Sequence, residues 1–181
     1  ATCATGQNSW SFVSSCFMCI VYNTLQSKVN RLHFLYYLIT YTPMKKIIAI
    51  SGSLRKGSFN TNLLKAAQEL APEGVDIEII DISSIPLFNQ DSEGAVPESV
   101  VAFKAKIEAS EGVIFATPEY NRSIPGVLKN AIDWASRPYG KNSFAKKKGL
   151  VLGVTVAPTG TAIAQSHLKV VMSYLDMIIV G

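Results

Sequence analysis

Past residue 43 this 181-residue chain contains no cysteine: its three, Cys3, Cys16 and Cys19, all lie before Met44. Residues 44–181 can therefore form no disulfide and offer neither a thiolate nucleophile nor a sulfur-ligated cluster. Cys16 and Cys19 have the spacing of half a zinc site or of a redox dithiol. The second ligand pair that zinc needs, and the strand-to-helix turn that a dithiol needs, are both lacking, so no metal site is expected. Carboxylates are missing from residues 1–43, which hold Lys28 and Arg31 but no Asp or Glu. Long apolar runs are missing too. Residues 12–22 and 32–39 are apolar, but each falls short of the ~20 residues that cross a bilayer. No basic residue precedes the first run, as a secretory signal requires. Charge is also dilute and unevenly placed: of the net +4, residues 1–43 supply +2, and the 15 basic and 13 acidic residues from Met44 onward supply the other +2. Without a basic stripe there is no case for a nucleic-acid partner, whereas a small anionic ligand suits this balance.

What is present divides at Pro43-Met44. Residues 1–43 carry eight of the 17 aromatic residues. They read as a leader without function: a tag, a cloning artefact or translated upstream sequence, with helical anchoring as the alternative. Met44-Lys45-Lys46-Ile47 reads as a natural start. With 48% apolar and 17% charged residues the whole chain is globular in composition, and the remainder has the length of one domain.

From Met44 strand and helix patterns alternate. Residues 46–51 form a short apolar run ending in a Gly/Ser turn, as a buried parallel strand does. Leu63, Leu64, Ala67 and Leu70 have helical spacing over residues 60–70. Further strands are expected over 75–82, 113–117, 150–155 and from 177, and further helices over 99–109, 124–135 and 162–175. Strands separated by helices imply right-handed crossovers and a parallel sheet covered on both faces. Ligands of such sheets bind beyond the carboxyl ends of the strands, where strand order reverses.

The loops at those ends carry the chemistry. Ser51-Gly52-Ser53-Leu54-Arg55-Lys56-Gly57-Ser58-Phe59-Asn60 runs directly into a helix. Small residues let backbone approach a phosphate, the helix N-terminus supplies unpaired N–H groups, and Ser53, Ser58, Asn60 and Arg55 add donors. Gly52 and Gly57 have Walker A separation, but Ser58 stands where the phosphate-gripping lysine belongs, and no GxGxxG can be read. A polar turn with a Ser or Asn helix cap is the plainer alternative. After the third strand, Thr117-Pro118-Glu119-Tyr120-Asn121-Arg122-Ser123-Ile124-Pro125-Gly126 is a rigid loop able to aim N–H groups at the edge of a planar ring, with Tyr120 on or beside it. Read plainly, Tyr120 is a surface aromatic and Glu119 a solvated carboxylate. Trp134 suits core or a subunit interface better than catalysis. After the fourth strand, residues 155–161 form another small-residue loop that could line the ring's other edge. His167, in the helix that follows, reads as surface or packing.

Together, ISGSLRKGSFN and TPEYNRSIPGVLKNAIDW closely resemble the NADPH-dependent FMN reductase family, which includes bacterial quinone, chromate and azo-dye reductases. The resemblance spans residues 44–181, about three quarters of the chain. It implies an α/β, flavodoxin-like, doubly wound parallel sheet whose family normally continues through a complete fifth strand and a final helix. The chain is thus expected to be truncated at the start of that strand. It implies one non-covalent FMN, its phosphate on Ser53, Arg55, Ser58 and Asn60 and its isoalloxazine against Pro118, Glu119, Tyr120 and Asn121. The implied activity is hydride transfer from NADPH or NADH through flavin N5 to a small-molecule acceptor: a quinone, azo dye, metal oxyanion or similar. No catalytic acid or base is assigned, since solvent can supply protons. The resemblance further implies a cytoplasmic homodimer or homotetramer without nucleic-acid or membrane partners, its subunit contact around residues 134–139. Two alternatives remain at this point: a flavodoxin-type electron carrier that binds FMN without oxidising NADPH, and an inactive truncated product. Carriers tend to be strongly acidic and residues 44–181 are not, which favours the enzyme.

Overall fold

The structure, a computed structural model, describes residues 44–181. The expectations for residues 1–43 (a leader without function, no metal at Cys16 and Cys19, no membrane span in 12–22 or 32–39) lie outside the described residues. In chain order the elements are β1 (Lys45–Ser51), α1 (Phe59–Glu69), β2 (Val75–Ile80), a short 3-10 turn (Gln90–Gly94), α2 (Glu98–Glu108), β3 (Gly112–Ala116), α3 (Gly126–Ala135), β4 (Lys148–Leu152), α4 (Ala162–Tyr174) and β5 (Ile178–Val180). Among the described residues no helix is long and apolar enough to cross a membrane.

The sheet is parallel throughout, in the order β2-β1-β3-β4-β5. The chain steps from β1 to β2 on one side, crosses back to β3, and then continues the other way. Right-handed crossovers made in opposite directions must land on opposite faces. Accordingly Leu64 of α1 packs with Ala49, Ile77 and Ala116 on one face. On the other, Phe103 of α2, Leu128 and Trp134 of α3 and Leu168 of α4 pack with Ile48, Ile50 and Phe115. β1 is central and covered on both faces, so Ile48, Ala49 and Ile50 are all fully buried. This is why its sequence is a continuous apolar run without alternation.

Element boundaries depart from the sequence pattern where glycine or proline decides them. β4 begins at Lys148, two residues before the apolar run, because Lys148 and Gly149 already pair with Gly112 and Val113. A Cβ on Gly149 would stand 2.3 Å from the Met172 Cε atom, so this start of the strand is bare to admit α4. α3 begins at Gly126, later than expected, with Pro125 as its N-cap residue. Trp134 is core: it is 2% exposed, its indole N–H donates to the Pro86 carbonyl at 2.8 Å, and it meets Phe88 edge-on.

β4 stops at Leu152 because Gly153 passes between two other segments. A Cβ there would lie 2.0 Å from Thr161 Oγ1 and 2.7 Å from the Thr117 carbonyl oxygen. Gly153→Ala should therefore lower stability by about 1–3 kcal/mol in chemical denaturation, the ordinary cost of overpacking. Gly126→Ala, where an added Cβ meets nothing within 4 Å, should stay within about 0.5 kcal/mol of the parent.

At the opposite end of the sheet Lys46 and Lys106 each reach a different oxygen of Glu78, at 2.7 Å. The hydrogen bonds from Lys106 and then Lys46 hold the Glu78 carboxyl below its ordinary range. A carboxylate lowered in the folded state stabilises above its unfolded pKa, and that contribution is lost as pH falls through the folded value. Glu78→Gln should thus cost about 0.5–1 kcal/mol at pH 7, and the deficit should vanish in melts recorded below the ordinary carboxylate range.

Candidate functional site

The reversal of strand order sits between β1 and β3, whose ends are level: Ser51 pairs with Ala116. The next residue, Gly52, donates its N–H to the Ala116 carbonyl at 2.8 Å. A Cβ on Gly52 would be 3.1 Å from Leu128 Cδ2 and 3.4 Å from Pro118 Cδ, so the first loop leaves the sheet tight against the third strand's loop.

Within the first loop, Ser51 Oγ accepts from Thr61 Oγ1 at 2.9 Å and from the Ser53 N–H at 3.3 Å. Ser53 Oγ accepts from the Arg55 N–H at 3.4 Å. The turn closes with the Ser58 N–H on the Arg55 carbonyl at 3.1 Å, which Gly57 permits by adopting a φ of +66°. Ser58 is the N-cap of α1, its Oγ accepting from the Thr61 N–H. Both Ser53 and Ser58 are buried and use their oxygens as acceptors, so each keeps an O–H proton to give. The N–H groups of Phe59 and Asn60, in the first turn of α1, have no intrahelical acceptor by position. Serine hydroxyls and a helix N-terminus thus converge at the crevice, a donor set that fits a phosphate. Arg55 is exposed, its guanidinium folded back 5.2 Å from the Phe59 ring centre and 3.4 Å from the Gly57 carbonyl oxygen. Beside this loop lies a cleft of about 400 Å³ that also takes in Lys65, Asp81 and Ser83. The N–H and hydroxyl of Ser83 hold the Asp81 carboxyl below its ordinary range.

The third strand's loop is a tight two-residue turn. Tyr120 and Ser123 exchange N–H···O bonds of 2.9 and 3.0 Å, and the central residues Asn121 and Arg122 both have positive φ, 50° and 61°. That is the geometry of a type I′ turn; asparagine tolerates it and arginine adopts it at a cost. Tyr120 stands at the rim, 52% exposed.

Two side chains expected at a ligand are bonded to other parts of the protein in this structure. The Asn60 amide donates to the Val154 carbonyl at 3.0 Å and accepts from the Val154 N–H at 3.1 Å. It joins the start of α1 to the loop after β4. Glu119 Oε2 accepts from the N–H groups of Ile163 and Ala164, both at 3.1 Å. It therefore caps α4 from another loop, where the N-cap residue Thr161 makes no side-chain cap and the first turn has no acid. Arg122 reaches both Glu119 Oε1, at 3.4 Å, and Thr159 Oγ1, at 3.3 Å. His167 Nδ1 lies 3.1 Å from Ser123 Oγ, a second link between the same loop and α4. A cleft of about 430 Å³ opens between Glu119, Asn121 and Arg122 on one wall and Thr155, Ala157 and Thr159 on the other.

The structure thus brings the two motif loops together across the β1–β3 crevice and adds Val154 and the start of α4, which composition alone did not single out. A signal for the latter is present in hindsight: α4 opens with Ala162-Ile163-Ala164, with no acid of its own to face its N-terminal dipole. Among the described residues no cluster of His, Cys, Asp or Glu could hold a metal ion.

Residues 45–181 match the family model of the NADPH-dependent FMN reductases. The chain is 48% identical over 136 residues to a 2-hydroxy-1,4-benzoquinone reductase from Burkholderia sp., covering 75% of this chain and 74% of that protein. It is 45% identical over 140 residues to an NADPH:quinone oxidoreductase from Arabidopsis thaliana, covering 75% and 70%. Among solved structures it is similar to FerB, a flavoenzyme NAD(P)H:(acceptor) oxidoreductase from Paracoccus denitrificans. The TM-score there is 0.73 at 42% identity, over 76% of this chain and 75% of that one. With its reversed parallel sheet and its phosphate-fitting first loop, the chain belongs to the NADPH-dependent FMN reductase family, oxidoreductases of flavodoxin-like fold.

Proposed function

We propose that residues 44–181 bind one FMN across the β1–β3 crevice and reduce a quinone or similar small acceptor with NADPH or NADH. The observation that carries this reading is the convergence of Ser53, Ser58 and the α1 N-terminus at the point where strand order reverses. Ser53 and Ser58 would donate hydroxyl protons to the phosphate, Asn60 its main-chain N–H, and Arg55 a charge-assisted bond after swinging off Phe59. Pro118, Glu119, Tyr120 and Asn121 would border the ring, Tyr120 by packing and the others through the main chain of the fixed turn. Bound FMN supplies the ring that takes up hydride from the nicotinamide and passes electrons on. The chain's part is to hold that ring still and to aim the N–H groups of Glu119 and Asn121, which flank the bonded Tyr120 N–H, at charge developing on its edge.

A quinone acceptor is supported by the relatives named for it, and the volume of the 430 Å³ cleft suits a small planar acceptor. We further propose a cytoplasmic homodimer or homotetramer. Trp134 is committed to the core, so the surface offered in that stretch is Arg137, Pro138 and the 86% exposed Tyr139.

Purified chain should show flavin absorption that bleaches within a stopped-flow trace on adding NADPH and returns with benzoquinone. A flavin that binds but never bleaches would make the chain a carrier. Arg55→Ala should weaken FMN binding by about 1.5–3 kcal/mol in a fluorescence-quenching titration, and unchanged affinity would remove Arg55 from the site.

A further inference from the structure

The loop after β4, residues 153–161, has little to hold it in place by itself. Its internal hydrogen bonds are one turn bond, Gly160 N–H to the Ala157 carbonyl at 3.0 Å, and Ala157 N–H to Thr155 Oγ1 at 3.2 Å. Its composition is Gly, Thr, Val, Ala and Pro, which supplies no long side chain to anchor it. Yet it forms one wall of the 430 Å³ cleft. What fixes it comes from the two motif loops. At its entry the Asn60 amide grips both the N–H and the carbonyl of Val154. At its exit Glu119 Oε2 grips the N–H groups of Ile163 and Ala164. The first tie holds the loop itself, the second holds the first turn of α4 into which the loop runs, and Arg122 adds a contact to Thr159 Oγ1 between them.

We propose that Asn60 and Glu119 act through their side chains as positioning residues: they clamp loop 153–161 and so set the width of the cleft in which the second substrate meets the flavin. This rests on the FMN reading above. The chemistry of each tie is specific. The Asn60 amide can both donate to the carbonyl and accept from the N–H of Val154; an aspartate would set an anionic oxygen against the Val154 carbonyl. Two N–H groups at a helix start are best met by an anion, and a glutamine still offers one acceptor oxygen. The Asn60 amide and the Glu119 carboxylate are thereby engaged within the protein, so neither side chain is the main source of flavin affinity. Loss of a tie should instead loosen the cleft, raising KM for the acceptor more than it lowers kcat.

The test uses the full chain with Asn60→Ala, Glu119→Ala and Glu119→Gln. For each, amide hydrogen exchange at Val154, Ile163 and Ala164, the FMN dissociation constant, and kcat and KM for benzoquinone are measured. Asn60→Ala should speed exchange at Val154, and Glu119→Ala at Ile163 and Ala164, each by about tenfold or more. FMN affinity should stay within about threefold of the parent, while kcat/KM for benzoquinone falls about tenfold, mostly through KM. Glu119→Gln should recover most of both the protection and the kinetics. Unchanged exchange together with FMN affinity down by about thirtyfold or more would overturn the proposal and make these side chains cofactor ligands. Faster exchange with unchanged kinetics would overturn it as well, leaving the ties purely structural. If the parent chain holds no FMN, the flavin reading falls separately, and the exchange rates alone still decide whether the ties exist.

Discussion

The hydrogen bond from Gly52 N–H to the Ala116 carbonyl closes the seam where strand order reverses, and the chemistry of the chain is arranged around that seam. Because β1 leads one way to β2 and β3 leads the other way to β4, no crossover passes over the junction of their carboxyl ends. The first loop lies close against the third strand's loop, where a side chain on residue 52 would press on Leu128 and Pro118. α1 then starts with its N-terminus beside the crevice, its cap supplied by Ser58. A parallel sheet in this order thus gathers a donor set that fits an anion at one corner as a consequence of its connectivity.

Above that corner three loops behave as one unit. The first and third are fixed by their own hydrogen bonds: the Ser51–Ser53–Thr61 network in one, the paired Tyr120–Ser123 bonds in the other. The loop after β4 borrows its position from both, through Asn60 and Glu119. Gly153 completes the fit by passing between Thr117 and Thr161 with no room for a Cβ. The three loops are thereby hydrogen-bonded to one another, although each comes from a different crossover.

Much of this could be read from the residues. The unbroken apolar runs of β1 and β3 announced central parallel strands, and the Ser/Gly loop entering a helix announced a phosphate-fitting turn. What escaped the sequence was long-range. Nothing local distinguishes an asparagine that donates to a ligand from one that holds Val154 94 residues away. Likewise Glu119 reads as a solvated carboxylate until α4 is seen to lack a cap. The early start of β4 was missed because Lys148 and Gly149 have no strand propensity; their pairing with Gly112 and Val113, and the close approach of Met172, place them in the sheet. Trp134 was open between core and interface, and the Pro86 carbonyl that receives its N–H resolves it to the core.

The central claim is that loop 51–60 encloses the FMN phosphate in N–H and hydroxyl donors. Phosphorus NMR of FMN bound to the full chain tests it most directly. A free phosphomonoester changes charge near pH 6, so its resonance moves across that range. Held as a dianion by Ser53, Ser58, Arg55 and the start of α1, the bound phosphate should keep one chemical shift from about pH 5.5 to about pH 8. A bound resonance that titrates like free FMN would contradict the account, placing the phosphate in solvent and the cofactor somewhere other than this crevice.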